Sequence, residues 1–316
     1  VLINEQGQGS PPDVEWGDKM IKWKRSLCIL ALSISCQGCV GGMFYQPDHN
    51  VYDTPDRHGL KYEQVTFRSK DGTRLSGWFI PAVGQARGTV IHFHGNAQNM
   101  TAHFGFVSWL PAQGFNLFVF DYRGYGSSAG SPGRRGVYED SLAALDYIAT
   151  RPDIDHNRLL VLGQSLGGTN AIAAIGSRPH GGIRAVAIES AFASYQGIVR
   201  DKIAAIPLLS VFRSPLSHLL IGNSLSPDTV VAHIAPTPLL IIHGTSDSVV
   251  PYSHGKRLYE LAHEPKRFWT IERGDHTEAF ADPDSPYRQR LVAFFNGALD
   301  GKAMAGEKQS PSTAAE

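Results

Sequence analysis

Between residues 62 and 299 the chain alternates short apolar runs with stretches of helical period. Residues 62–68 and 74–80 read as two strands joined by the turn Lys70-Asp71-Gly72, a hairpin signal. Continuous apolar runs at 89–93 and 115–120 suit strands buried on both faces, and the stretch 97–113 between them reads as a helix. Further runs at 158–162, 185–188, 239–242 and 268–271 read as strands. Helices are expected over 137–149, where Val137, Leu142, Leu145, Tyr147 and Ile148 fall near 3.6 spacing, and over 166–175, 254–262 and 287–299.

This alternation predicts an α/β fold with right-handed crossovers and a mostly parallel sheet covered by helices on both faces. Ligands of such sheets sit beyond the carboxyl ends of the strands, so chemistry is to be sought just after each strand run. One stretch breaks the pattern: residues 191–233, between two strand runs, read as a short inserted cap. Its Ile206, Leu208, Leu209, Val211 and Phe212 either line an acyl pocket or pack the cap on the core.

Three strand ends carry a constellation. The run ending at Leu162 passes into Gly163-Gln164-Ser165-Leu166-Gly167-Gly168 and then a helix, which is G-x-S-x-G in its strand–turn–helix context. A strand turning directly into a helix crowds the positions two before and two after the serine, so glycine is needed there. The turn exposes Ser165 over a helix N-terminus, where free N–H groups favour negative charge. A serine needs a base, and His276 follows another strand in Glu272-Arg273-Gly274-Asp275-His276. Asp247, in His243-Gly244-Thr245-Ser246-Asp247, would accept from His276 Nδ1–H and fix its tautomer. Asp275 and Glu189 are the alternative acids. His243 and His254 are expected to pack or to face solvent.

An oxyanion needs donors. The backbone N–H of Leu166 supplies one. The loop His92-Phe93-His94-Gly95-Asn96-Ala97 supplies the other through the Asn96 N–H, with His94 bracing the loop. His92-x-His94 lacks the further close ligands that a metal site of this start needs, and no metal or cofactor is expected. Arg123, Arg134 and Arg135, in the loop 123–136, either meet an anionic group or are solvated.

The segments HFHGNAQN, DYRGYGSSAG, GQSLGG, HGTSDSVVP and GDH, in this order, resemble the α/β-hydrolase family over about 62–299, in a branch labelled serine aminopeptidase-like or BEM46-like. The resemblance implies the α/β-hydrolase fold and a serine hydrolase with Ser165, Asp247 and His276 as triad; carboxylic esters are expected as substrates, and the short cap favours small or medium acyl chains. Aminopeptidases, thioesterases or protein deacylases, and acyltransferases share that triad. A non-catalytic binding lipoprotein is the alternative from a different class.

Composition narrows the rest. With 29 Lys+Arg against 29 Asp+Glu the chain lacks the basic excess of a general nucleic-acid binder, and 3 cysteines in 316 residues exclude a disulfide-stapled miniprotein. All three cysteines fall at the N-terminal end, where Lys22, Lys24 and Arg25 precede an apolar run at 27–34 and small residues, the order of a secretory signal. The run is shorter than the roughly 20 residues of a membrane-spanning helix. It resembles a bacterial lipoprotein signal with Cys39, or alternatively Cys36, as the lipidated residue. This implies an enzyme held to a membrane of the cell envelope, the outer membrane where the host has one, or else a secreted or periplasmic protein. The expected organisation is an over-extended start at 1–19, a signal at 20–39, a tether at 40–60, the domain at 61–300 with its cap, and a disordered tail at 301–316.

Overall fold

Alternate residues of the inner strands face opposite layers, and this two-sidedness builds the core. The computed structural model describes residues 42–302. Eight strands form one sheet: β1 (Glu63–Arg68), β2 (Arg74–Ile80), β3 (Gly88–Phe93), β4 (Phe115–Asp121), β5 (Leu159–Gln164), β6 (Ile183–Glu189), β7 (Leu239–Gly244) and β8 (Lys266–Ile271). Their spatial order is β8-β7-β6-β5-β3-β4-β2-β1. β3 to β8 run parallel, while β1 and β2 pair antiparallel at one edge. On β5, Leu159 and Val161 join one core layer and Leu160 and Leu162 the other; Val186 and Ile188 against Ala185 and Ala187 repeat this on β6.

The first layer is completed by α1 (Arg134–Thr150), α2 (Leu166–Ser177) and α5 (Tyr252–Leu261), through residues such as Val137, Ile148, Ile172 and Leu258. The second is completed by α6 (Pro286–Leu299), through Leu291, Phe294 and Phe295. Chain order reverses at β3, which lies between β4 and β5. Such a switch point opens a crevice at the carboxyl ends of the two strands whose crossovers diverge. The residues ending there are Phe93, paired with Gly163.

The structure departs from the sequence reading in four places. The expected helix over 97–113 is a single turn, Met100–His103, followed by 3-10 turns at Phe104–Phe106 and Pro111–Gln113. Its apolar residues Met100, Phe104, Val107 and Leu110 are still buried, because Gly105 and Pro111 break the helix without changing which side faces the sheet.

The segment expected to be a tether belongs to the domain. Phe44 and Tyr45 are buried in the main core, and Gln46–Pro47 pairs parallel with Ala97–Gln98. Residues 42–50 thus form a strap over the loop after β3.

Two of the three arginines in the loop 123–136 are engaged by the protein itself. Arg123 donates bidentately to the buried Asp140 and also meets Asp71 and Ser69 Oγ. Arg134 donates to the Gly222 and Ser224 carbonyls and lies 4.0 Å over the Tyr195 ring. Only Arg135 stands largely in solvent.

Between β6 and β7 the cap region carries α3 (Tyr195–Ala204) and α4 (Arg213–Leu220). Ile206, Leu208, Leu209, Val211 and Phe212 do not pack on the core but are exposed. The signal residues, Cys36 and Cys39 included, and the tail beyond 302 lie outside the described residues.

Candidate active site

Strand ends at the crevice bring the site together. After β5 the chain turns at Ser165 with φ 53 and ψ −123, a left-handed conformation that costs a non-glycine residue about 1–3 kcal/mol. Packing on all sides holds it there. A methyl group on Gly163 would lie 2.7 Å from the Gly168 Cα, and one on Gly167 would lie 2.0 Å from the Phe93 carbonyl oxygen. Glycine at these positions therefore lets α2 begin directly against the end of β3. The Ser165 N–H donates to the Glu189 carbonyl at 2.8 Å.

Ser165, Asp247 and His276 meet although 111 positions separate serine from histidine. His276 Nε2 lies 2.9 Å from Ser165 Oγ, and its Nδ1 lies 2.9 and 3.0 Å from the two Asp247 oxygens. With Nδ1–H donating to the carboxylate, Nε2 is left as the acceptor facing the hydroxyl. Burial pushes the Asp247 carboxyl up, but hydrogen bonds from His243 and His276 and from the Val250 N–H overcome this and hold it well below the usual carboxylate range. Val249 N–H and Val250 N–H both donate to Oδ1, at 2.9 and 2.8 Å. His243 Nε2 stands 3.4 Å from Asp247 Oδ2 and 2.9 Å from the Val250 carbonyl. Asp247 is thus an anion across the ordinary pH range, fixed by its own loop.

The competing acids have other work. Asp275 accepts from Ser248 N–H, Ser248 Oγ and its neighbour His276 N–H, tying the two loops together. Glu189 accepts from Gln164 Nε2 and from the Ala279 N–H, so it holds the segment after His276 against the strand ends. Gln164 Oε1 in turn accepts from His92 Nε2, 3.0 Å away. Burial drives His92 down to about 3, so this ring is neutral. His254 also packs: Ala193 N–H donates to its Nδ1, and its Nε2 donates to Asp201.

Burial raises the Glu189 carboxyl to about 7. A folded value above the unfolded 4.5 means that the native state binds the extra proton, so this group's stabilisation falls as pH rises from about 4.5 to about 7. Glu189→Gln is expected to remove that slope. In urea melts at about pH 5 and about pH 8, the variant should gain on the wild type at the higher pH by on the order of 3 kcal/mol. An unchanged difference between the two would mean that Glu189 titrates alike in both states.

Beside the serine, a methyl group on Gly95 would lie 3.6 Å from the Ser165 Cβ, which sets the loop after β3 against the turn. The amides of Asn96 and of Leu166, the first residue of α2, have no acceptor among the described residues. The Asn96 side chain does not face a ligand. Its Oδ1 accepts from the strap's Gln46 N–H at 2.9 Å, and its Nδ2 donates to the Met43 carbonyl. Further along, Asp48 N–H donates to the Gln98 carbonyl, and Asn99 Nδ2 donates to the Asp48 carboxylate at 2.7 Å. From below, Asp121 Oδ1 accepts from the Met100 N–H, and His94 Nε2 lies 3.4 Å from the same oxygen. His94 Nδ1 lies 2.8 Å from the Gly95 carbonyl, consistent with the bracing role expected for it.

Sequence reasoning missed Asp121 and the strap. Asp121 stands first in the quoted DYRGYG segment, directly after a buried strand, and that position was a usable signal. Nothing local marks the strap. Among the described residues no cluster of His, Cys, Asp or Glu is arranged to hold a metal ion.

Comparisons with known proteins bear on the fold and the family. Residues 84–232 match the family model described as serine aminopeptidase, S33. The chain is 44% identical over 262 residues to the uncharacterized protein YfhR of Escherichia coli (strain K12), covering 81% of this chain and 87% of that one. It is 35% identical to the alpha/beta hydrolase domain-containing protein WAV2 of Arabidopsis thaliana, over 66% of this chain and 69% of the relative. Among solved structures, the esterase Pf2001 of Pyrococcus furiosus superposes with a TM-score of 0.63 at 19% identity, covering 82% of this chain and 99% of the esterase. Fold, sheet order and sequence relationship together show that the chain belongs to the α/β-hydrolase family.

Proposed function

We propose that the protein is a serine hydrolase acting on carboxylic esters of small or medium acyl chains. The observation that carries this is the continuous link from Asp247 through the His276 ring to Ser165 Oγ, with both contacts at hydrogen-bond distance. His276 Nε2 takes the hydroxyl proton as Ser165 Oγ bonds to the ester carbonyl carbon. The N–H groups of Asn96 and Leu166 donate to the resulting oxyanion. The tetrahedral intermediate expels the alkoxide, which receives the proton from His276. Water, deprotonated by the same nitrogen, then attacks the acyl-enzyme and releases the acid and Ser165. Asp247 holds the tautomer throughout and stabilises the imidazolium. The likeness to the Pyrococcus furiosus esterase supports esters as the substrate class. The family model's description favours a second reading, an aminopeptidase on the same triad.

A panel of p-nitrophenyl esters, acyl thioesters and aminoacyl p-nitroanilides separates these readings. The account expects the short esters to give the highest kcat/KM. A preference for the anilides would replace it with the aminopeptidase reading. We also propose that a lipid on Cys39, or on Cys36, holds the chain in the cell envelope. Mass spectrometry of the mature protein should find the N-terminal cysteine carrying acyl chains, and a mature chain without them would reject this.

A further inference from the structure

The cap presents an apolar tip that nothing in the fold covers. Ile206, Leu208, Leu209, Val211 and Phe212 are 48, 88, 40, 77 and 56% exposed, and Leu219 follows at 68%. Ten large hydrophobic residues are exposed among the described residues, and six of them fall between 206 and 219. Apolar residues scattered singly on a surface need no explanation, whereas a contiguous group of this kind marks a place of contact.

Two further features say what is contacted. Charge around the tip is basic: Arg200, Lys202 and Arg213 flank it and are exposed. Of the two acids in the cap, 191–233, Asp201 is engaged by His254 and Arg200, and Asp228 accepts from Asn223 Nδ2. The chain leaves the described domain at the base of the cap, one length of α4 from the tip. Gly42 lines the same open cleft as Leu220, Ile221 and Gly222 at the end of α4. Three residues, at most about 11 Å of chain, lead from Gly42 to Cys39, the residue proposed above to carry lipid.

From these we infer that the cap tip is an interfacial surface that seats on a lipid bilayer carrying anionic headgroups. Its apolar side chains enter the headgroup–acyl boundary, to a depth of about 5–10 Å. Arg200, Lys202 and Arg213 stay at headgroup level, where the negative surface potential attracts them. The cap is inserted after β6, on the edge of the sheet that carries Ser165. Seating therefore turns that edge toward the lipid and, on the ester-hydrolase reading, toward esters held in it. The surface itself requires neither that reading nor a lipid on Cys39.

The test places a reporter in the tip of the full-length chain. Leu208→Trp and Phe212→Trp are compared with the wild type in vesicles of phosphatidylcholine and phosphatidylglycerol, with and without dibrominated phosphatidylcholine. Val83→Trp is the control, since Val83 is exposed but follows β2 at the opposite edge of the sheet. At 208 and 212 the added emission should shift to the blue on vesicle binding and be lost in the brominated lipid, while that at 83 keeps its intensity. No quenching at either tip position, or equal quenching at 83, overturns the inference. So does a tip emission already blue in buffer, together with a dimer in sedimentation that Leu208→Asp dissociates, because a second copy would then be the occupant. The readout is local, so a chain without ester turnover or without lipid on Cys39 still reports on the tip.

Discussion

Asp247→Asn is expected to lower ester kcat by about four orders of magnitude while the protein stays folded. The size of the effect follows from how the carboxylate is held. Its Oδ1 receives two backbone N–H groups, from Val249 and Val250. An asparagine carbonyl would keep that position, because the amide nitrogen cannot accept them. The amide NH2 group then points at His276 Nδ1, which faces Asp247 Oδ2 at 2.9 Å in the wild type. A donor facing Nδ1 forces the ring proton onto Nε2, and Nε2 can no longer take the proton from Ser165 Oγ. His243 Nε2 loses an acceptor at Oδ2 as well but retains the Val250 carbonyl, so the fold has a substitute and the catalytic ring has none. Burst and steady-state kinetics on a p-nitrophenyl ester check this, with circular dichroism to verify the fold. A kcat within tenfold of the wild type would mean that Asp247 does not set the tautomer.

Ser165→Ala carries the other large effect, a loss of about six orders of magnitude in kcat. The residual rate should not reach the uncatalysed one. In the proposed mechanism the amides of Leu166 and Asn96 still donate to the oxyanion, and donors of this kind retain about 10³–10⁴-fold acceleration without the nucleophile. Alanine keeps the Cβ, so the turn at φ 53 is no more strained than before, and the crowding at Gly163 and Gly167 is unchanged. The melting temperature should therefore stay close to that of the wild type. A variant that is inactive only because it has unfolded would show itself in that melt.

Much of this was legible in the chain. β3 to β7 read from continuous apolar runs because strands buried on both faces leave no polar alternation to confuse them, and the edge strand β8 read from its apolar centre alone. The serine, aspartate and histidine each stand just after such a run, and a parallel sheet gathers those positions at one edge whatever their spacing in sequence. What escaped depends on contacts between distant segments. The strap 42–50 looks like a polar, proline-containing linker. Its order comes from the Asn96 side chain and from pairing with Ala97–Gln98, about fifty positions away. The helix expected over 97–113 is one turn followed by 3-10 turns, and Gly105 and Pro111 within the stretch were the signals against it. The cap's apolar residues were expected to line a pocket or join the core, and hydrophobicity alone could not show that they are exposed.

The strap gives the oxyanion loop a second support, so the Asn96 amide depends on residues that precede the sheet as well as on β3. Asp121 supports the loop from the sheet side, and Asn99 with Asp48 joins it to the strap.

Labelling with a fluorophosphonate, followed by tryptic digestion and fragment mass spectrometry, asks whether Ser165 is the nucleophile. The peptide that follows Arg158 and ends at Arg184, since the Arg178–Pro179 bond resists trypsin, holds Ser165 and Ser177. The folded wild type should carry one phosphonate, localised to Ser165, and His276→Ala should carry none. A wild type that is folded yet unlabelled, or an adduct at any other residue, would contradict the role of Ser165 as nucleophile.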